Sequence, residues 1–219
     1  MTVETDAPAS ILLERMRVCA LDATGAPLVG ATSQYVTDAV VKISWQQAVE
    51  AGIEMIQRNG SGQLCVMRRT PDVVKWLEMS VDICAPDPEL EWLLTGGTLL
   101  RTGTAGETLG YQEPELGLDP VPNGVSIEGW SDTDENGQEA ETNQLFHWVW
   151  PKVKLEKKAA RTLEAGILAN SFEGYGYQNA NWGTGPGDDW TFDSSRVNQR
   201  IRVDLDTMPA SAIGLQAVS

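Results

Sequence analysis

Trp76-Leu77-Glu78-Met79-Ser80-Val81-Asp82-Ile83-Cys84 alternates apolar and polar side chains through its middle. Leu77, Met79, Val81 and Ile83 hold one parity, and Glu78, Ser80 and Asp82 the other. Successive side chains on a strand point to opposite faces, so this stretch predicts a β-strand with one buried and one wet face. Outward from it, residues 15–21, 40–49, 53–58 and 62–68 predict earlier strands rich in β-branched residues. Residues 125–130, 145–155, 168–177 and 196–205 predict later ones. Asn59-Gly60-Ser61-Gly62 supplies residues that accept positive φ, as a hairpin turn between two of these strands requires.

Two local features interrupt the alternation. In residues 146–155, Phe146, Trp148 and Trp150 share one parity, whereas Val153 and Leu155 share the other. Pro151 stands at the slip and has no N–H to give a ladder, which predicts a bulge or sheet-edge bend there. Pro86-Asp87-Pro88 offers a capping side chain and a proline suited to the first helical position. Leu90, Leu93 and Leu94 follow at helical spacing, and Gly96-Gly97 ends the run. This predicts one short helix over 88–95, laid across a sheet.

The 219 residues are enough for one domain with an N-terminal arm over about 1–14 and a C-terminal tail over about 207–219, of which residues 1–10 and 208–219 are expected to be mobile in an isolated subunit. No stretch reaches the roughly 20 apolar residues of a membrane helix. Residues 1–10 are acidic and lack the pattern of a secretory leader, so synthesis in a cytoplasm is expected. Cys19, Cys65 and Cys84 are too few for a disulfide framework and read as small buried hydrophobes.

Sixteen basic residues against 31 acidic ones give a net charge of −15. Such a surface repels nucleic acid and lacks the basic footprint that binding it requires. The imbalance is local as well. Residues 103–141 hold ten acidic residues and no lysine or arginine, and their glycines and prolines predict a long hairpin or loop excursion around the strand 125–130. Lys152, Lys154, Lys157, Lys158 and Arg161 then follow with only Glu156 among them. Opposite patches steer docking, so this cluster and acids such as Glu113, Glu115 and Asp119 are candidates for a contact between subunits.

Little in the chain suggests chemistry. Asp132-Thr133-Asp134-Glu135-Asn136-Gly137 matches the first half of a calcium loop, with Asp132, Asp134 and Asn136 as weak ligand candidates. The twelfth position is Asn143 instead of glutamate, so an Asp-rich β-turn is the better reading. Gly183-Thr184-Gly185-Pro186-Gly187 lacks the Lys-Ser/Thr of a phosphate loop and precedes Asp188-Asp189. With a single histidine, His147, and no nucleophile elbow or zinc motif, a protein without catalytic site or cofactor is expected. Gly174-Tyr175-Gly176-Tyr177 followed by Asn179, Asn181 and Trp182 would suit a sugar-binding loop, which keeps a carbohydrate-binding β-sandwich module as the rival from another class.

The chain resembles the major tail proteins of siphoviruses that infect actinobacteria. The resemblance runs from Met16-Arg17-Val18 through Val36-Thr37-Asp38 into residues 40–45, and over Gly62-Gln63-Leu64-Cys65-Val66 and residues 77–84. It continues in Asp87-Pro88-Glu89-Leu90, Leu93-Leu94-Thr95-Gly96, Val125-Ser126-Ile127-Glu128 with Trp130, and the glycine run 183–187. It covers most of residues 15–190, and both termini lie outside it. What it implies is a tail-tube-type β-sandwich or barrel with one flanking helix, assembled into hexameric rings that stack as the virion's DNA conduit. The implied partners are further copies of the chain, a tape measure protein, a tail terminator and a distal tail protein, while DNA passes without specific binding. The last two share the fold and are the nearest alternative identities.

Overall fold

Residues 76–83 of the alternating stretch fall within Val73–Ile83, and Leu77, Met79, Val81 and Ile83 are all buried, as the pattern predicts. The structure, a computed structural model, describes residues 9–28, 30, 32–84, 87–103, 106–135, 138–139, 144–156, 170–188, 190–212 and 214–217. The strands in order are β1 (Ala9–Ala20), β2 (Gln34–Thr37), β3 (Val40–Glu50), β4 (Glu54–Arg58), β5 (Leu64–Arg69) and β6 (Val73–Ile83). Helix α1 (Pro88–Thr95) precedes β7 (Thr98–Arg101), β8 (Thr108–Gln112), β9 (Val125–Glu135) and β10 (Gln138–Glu139). Then come β11 (Gln144–Glu156), β12 (Asn170–Gly176), β13 (Gln199–Asp204) and β14 (Leu215–Gln216). The described residues are mainly β, antiparallel, with one short α-helix among them, consistent with a β-sandwich.

The main sheet runs β14-β2-β1-β9-β11-β12-β6-β3, with β10 added to β9 and β13 to β11. Strand β11 is where it folds over. One edge of β11 pairs with β9, while the other pairs with β13 up to Val149 and with β12 from Val153. Pro151 stands at that changeover, and the β9–β11 register shifts between Trp150 and Val153. The missing proline N–H breaks the ladder at the expected place. Beyond the break the sheet curls back, so that Trp45 on β3 meets Trp148 and Trp150 on β11 at ring-centroid distances of 5.2 and 5.0 Å. Met16, Val18, Leu77, Val81, Ile127, Val153 and Phe172 belong to the core, together with the leucines of α1.

Helix α1 matches its expected bounds. Asp87 Oδ1 accepts from the Glu89 N–H at 2.8 Å, and Gly96 closes the last turn with φ +73°. Leu90, Leu93 and Leu94 are buried. Leu94→Ala should therefore lower stability by about 2–5 kcal/mol, read as an earlier urea midpoint. An unchanged midpoint would show that α1 does not close the core.

The described parts of the two terminal segments are anchored more firmly than their sequence suggests. Strand β1 begins inside the expected N-terminal arm, pairing Ala9 with Asp134 and Leu13 with Ser131. At the other end Glu89 accepts from the Leu215 N–H at 2.7 Å, Arg15 Nη1 donates to the Pro209 carbonyl at 2.7 Å, and β14 pairs with β2. These backbone groups find partners that no local pattern could announce. The cysteine expectation holds for Cys19, whose thiol burial pushes up to about 12, whereas Cys65 and Cys84 are exposed.

Candidate assembly surface

Strands β3 and β6 pair as far as Glu50 and Val73, and the chain between them continues outward as the β4–β5 hairpin. The junction is tight, since a Cβ on Gly52 would lie 1.7 Å from the Thr70 carbonyl oxygen. The Gly52 N–H donates to Asp72 Oδ1 at 2.8 Å, the Ile53 N–H to Thr70 Oγ1 at 2.8 Å, and Arg69 Nη2 to Asp72 Oδ1 at 2.9 Å. The Gly52 N–H foremost, helped by Arg69, holds the Asp72 carboxyl below its usual range. At the tip, Asn59 Oδ1 accepts from the Ser61 and Gln63 N–H groups at 3.1 and 2.8 Å, and Gly62 takes φ +83°. That is the turn expected from residues 59–62.

Strands β4 and β5 pair only with each other among the described residues, and every residue of both is exposed. Glu54, Ile56, Met67 and Arg69 share one face by register, and Met55, Gln57, Val66 and Arg68 the other. Each face thus joins apolar side chains to an arginine. Ile56 is 52% and Met67 65% exposed, and Val49, Ile53, Val73 and Val74 extend the apolar surface to the root. A two-stranded hairpin alone is marginal in water, and monomers rarely leave so continuous an apolar surface uncovered. Residues 53–71 also carry Arg58, Arg68 and Arg69 against Glu54, on a chain of net charge −15.

The acidic excursion resolves into the end of the β7–β8 hairpin, an irregular segment over 113–124, and β9. Leu109, Leu116 and Leu118 are exposed there beside Glu107, Glu113, Glu115 and Asp119. Lys154 Nζ donates to Asp119 Oδ2 at 2.7 Å, which holds that carboxyl below its usual range. This contact between the acidic and basic runs is made within one chain and calls for no neighbour. Lys152 is half-buried, and Lys157, Lys158 and Arg161 lie outside the described residues.

Asp132 and Asp134 stand on β9, opposite Leu145 and Ala9 respectively, where the sequence suggested a turn, and Asn136 lies outside the described residues. No group of three or more His, Cys, Asp or Glu placed to hold a metal occurs among the described residues. The set that suggested a sugar loop is largely internal. Trp182 is buried beside Phe192, Leu21 and Val149. Asn179 Nδ2 donates to the carbonyls of Gly25 and Pro151 at 2.7 and 2.9 Å, while Tyr175 stays at the surface.

A buried polar row escaped the sequence altogether. Arg17 on β1 faces Glu128 on β9, with Arg17 Nη2 donating to Glu128 Oε1 at 2.9 Å and Nε to Oε2. His147 Nε2 on β11 lies 3.2 Å from Glu128 Oε1, and Trp190 Nε1 donates to His147 Nδ1 at 3.0 Å. Because Nδ1 accepts, the ring's N–H is at Nε2, facing the carboxylate. Trp130 stacks on the imidazole at 4.4 Å, with Arg17 over its ring at 5.2 Å. Burial pushes the Glu128 carboxyl up, but the Arg17 charge and the hydrogen bonds from His147 and Arg17 outweigh it and bring it to about 2. Arg17, Glu128 and His147 are all buried, which suits a structural tie better than a reacting group.

No helix among the described residues is long and apolar enough to cross a membrane. No protein-family model matches the chain, and comparison with curated proteins returns no match.

Proposed function

We propose that the chain is the major tail tube subunit of a long-tailed bacteriophage, a structural protein without catalytic role that stacks as rings into a conduit for DNA. The observation that carries this reading is the β4–β5 hairpin, apolar and exposed on both faces. An element of that kind gains its burial from another molecule. A patch that meets a different surface on the next copy makes a head-to-tail contact, which closes into rings or runs on as a filament. Among the described residues, the sheet's outer strands, β3 and β14, have open edges that a ring of such contacts can cover. An acidic chain suits a channel whose cargo must slide without sticking.

Sedimentation velocity across a concentration series tests the reading. Growth that continues with concentration is the expected result, and arrest at a single ring would mark a capping protein such as a terminator. A filter assay at low salt, where electrostatic binding is strongest, should retain no duplex DNA. Tight, salt-sensitive retention would remove the conduit role.

A further inference from the structure

We infer that the hairpin arm of one copy docks on the acidic, leucine-bearing segment 107–119 of a second copy. This rests on the self-assembly reading above and names the two surfaces that meet. The arm offers apolar side chains on each face, Ile56 and Met67 on one and Met55 and Val66 on the other, with Arg58 and Arg68 among them. Segment 107–119 offers the matching chemistry: exposed Leu109, Leu116 and Leu118 beside Glu107, Glu113 and Glu115, with no lysine or arginine. Leu116 is 100% exposed. Both surfaces therefore combine apolar side chains with charge of opposite sign.

Charge chooses the occupant. The arm is a cationic projection on a strongly acidic chain, so it is attracted to another copy's surface, whereas two arms repel each other. Within the acidic segment, Asp119 pairs with Lys154 and Glu113 accepts from the Tyr111 hydroxyl at 3.4 Å, and Glu107, Glu113 and Glu115, the carboxylates nearer β8, form the arm's counterpart. Arg69 is paired with Asp72 at the arm's root, and Arg58 donates to the Gly62 carbonyl at 3.0 Å, so Arg58 and Arg68 carry the arm's charge not balanced by a carboxylate in the contacts described. The two surfaces differ, so the contact is head-to-tail, the type that builds rings and open tubes.

The test is a charge swap followed by light scattering, with thermal melts confirming that each variant is folded. Arg58→Glu with Arg68→Glu should raise the concentration needed for assembly more than about tenfold, because like charges then face each other. Glu107→Lys with Glu113→Lys and Glu115→Lys should do the same. Both sets combined in one chain should restore assembly to within about threefold of the original protein. A combined variant that stays dispersed while the original protein assembles would overturn this docking surface and leave self-assembly standing. An original protein that never assembles would remove both.

Crosslinking gives a second route if the swaps perturb folding. Cys65 is exposed on β5 and Cys84 is exposed elsewhere, so Leu116→Cys in a Cys84→Ser background should yield intermolecular crosslinks with a short bismaleimide that Cys84→Ser alone does not form. Assembled protein giving no such added crosslinks would contradict the proposed contact.

Discussion

Glu128→Gln is expected to cost the fold about 3–5 kcal/mol at neutral pH, because it leaves the buried Arg17 guanidinium without its counter-charge. Arg17 and Glu128 are 5% and 2% exposed, so water cannot take the partner's place. Arg17→Met should cost a similar amount by stranding the carboxylate. Replacing both with apolar residues should recover much of the loss, since the charges then vanish together. The effect has a defined pH dependence. An unfolded glutamate titrates near 4.3, and folded Glu128 near 2. The lowered folded value means that the stabilisation is complete above the unfolded value and is lost as pH falls from there through about 2. The gap between the original protein and Glu128→Gln should therefore narrow with acid across that window. Denaturation midpoints at a series of pH values check this, and a gap that stays constant into acid would refute the ion pair as its source.

Removing the arm should produce the opposite combination: a stable subunit that cannot assemble. Glu50 and Val73 are directly paired, so residues 51–72 can be replaced by an Asn-Gly turn that closes a two-residue hairpin at that point. Nothing buried is lost from β4 or β5, whose residues are all exposed. The thermal midpoint should consequently stay close to that of the full chain, as for surface changes worth about 0.5 kcal/mol or less. Oligomers should disappear at every concentration. A midpoint lowered by many degrees would show that the arm supports its own subunit, and undiminished assembly would show that other surfaces suffice.

The fold was legible where local chemistry decides it. Alternation gave β6 its buried face, Asn59 and Gly62 gave the hairpin turn, and Asp87-Pro88 with Gly96 gave both ends of α1. Pro151 marked the changeover in β11 because a lost N–H is visible in a sequence. Short strands such as β2 and β14 were not visible, because their pairing is set by distant partners. The buried row was hidden for a related reason. Charged residues inside a strand read as its wet face, but the face carrying Arg17 and Glu128 has its histidine partner held by Trp190 from a distant loop. The candidate surface was half legible. Apolar residues on both parities of 53–58 and 62–68 mark a strand covered on both sides, yet they do not say whether the cover comes from the same chain. The surplus of arginine there, on an acidic protein, is the signal that supports cover from a second copy.

The most direct measurement is negative-stain electron microscopy of the concentrated, purified protein. Hollow tubes, or rings that stack into them, are the predicted result, and the arm-deleted chain at the same concentration should show neither. A field of dispersed single subunits from the full chain, unchanged at the highest attainable concentration and low salt, would contradict the assignment as a tube-forming subunit.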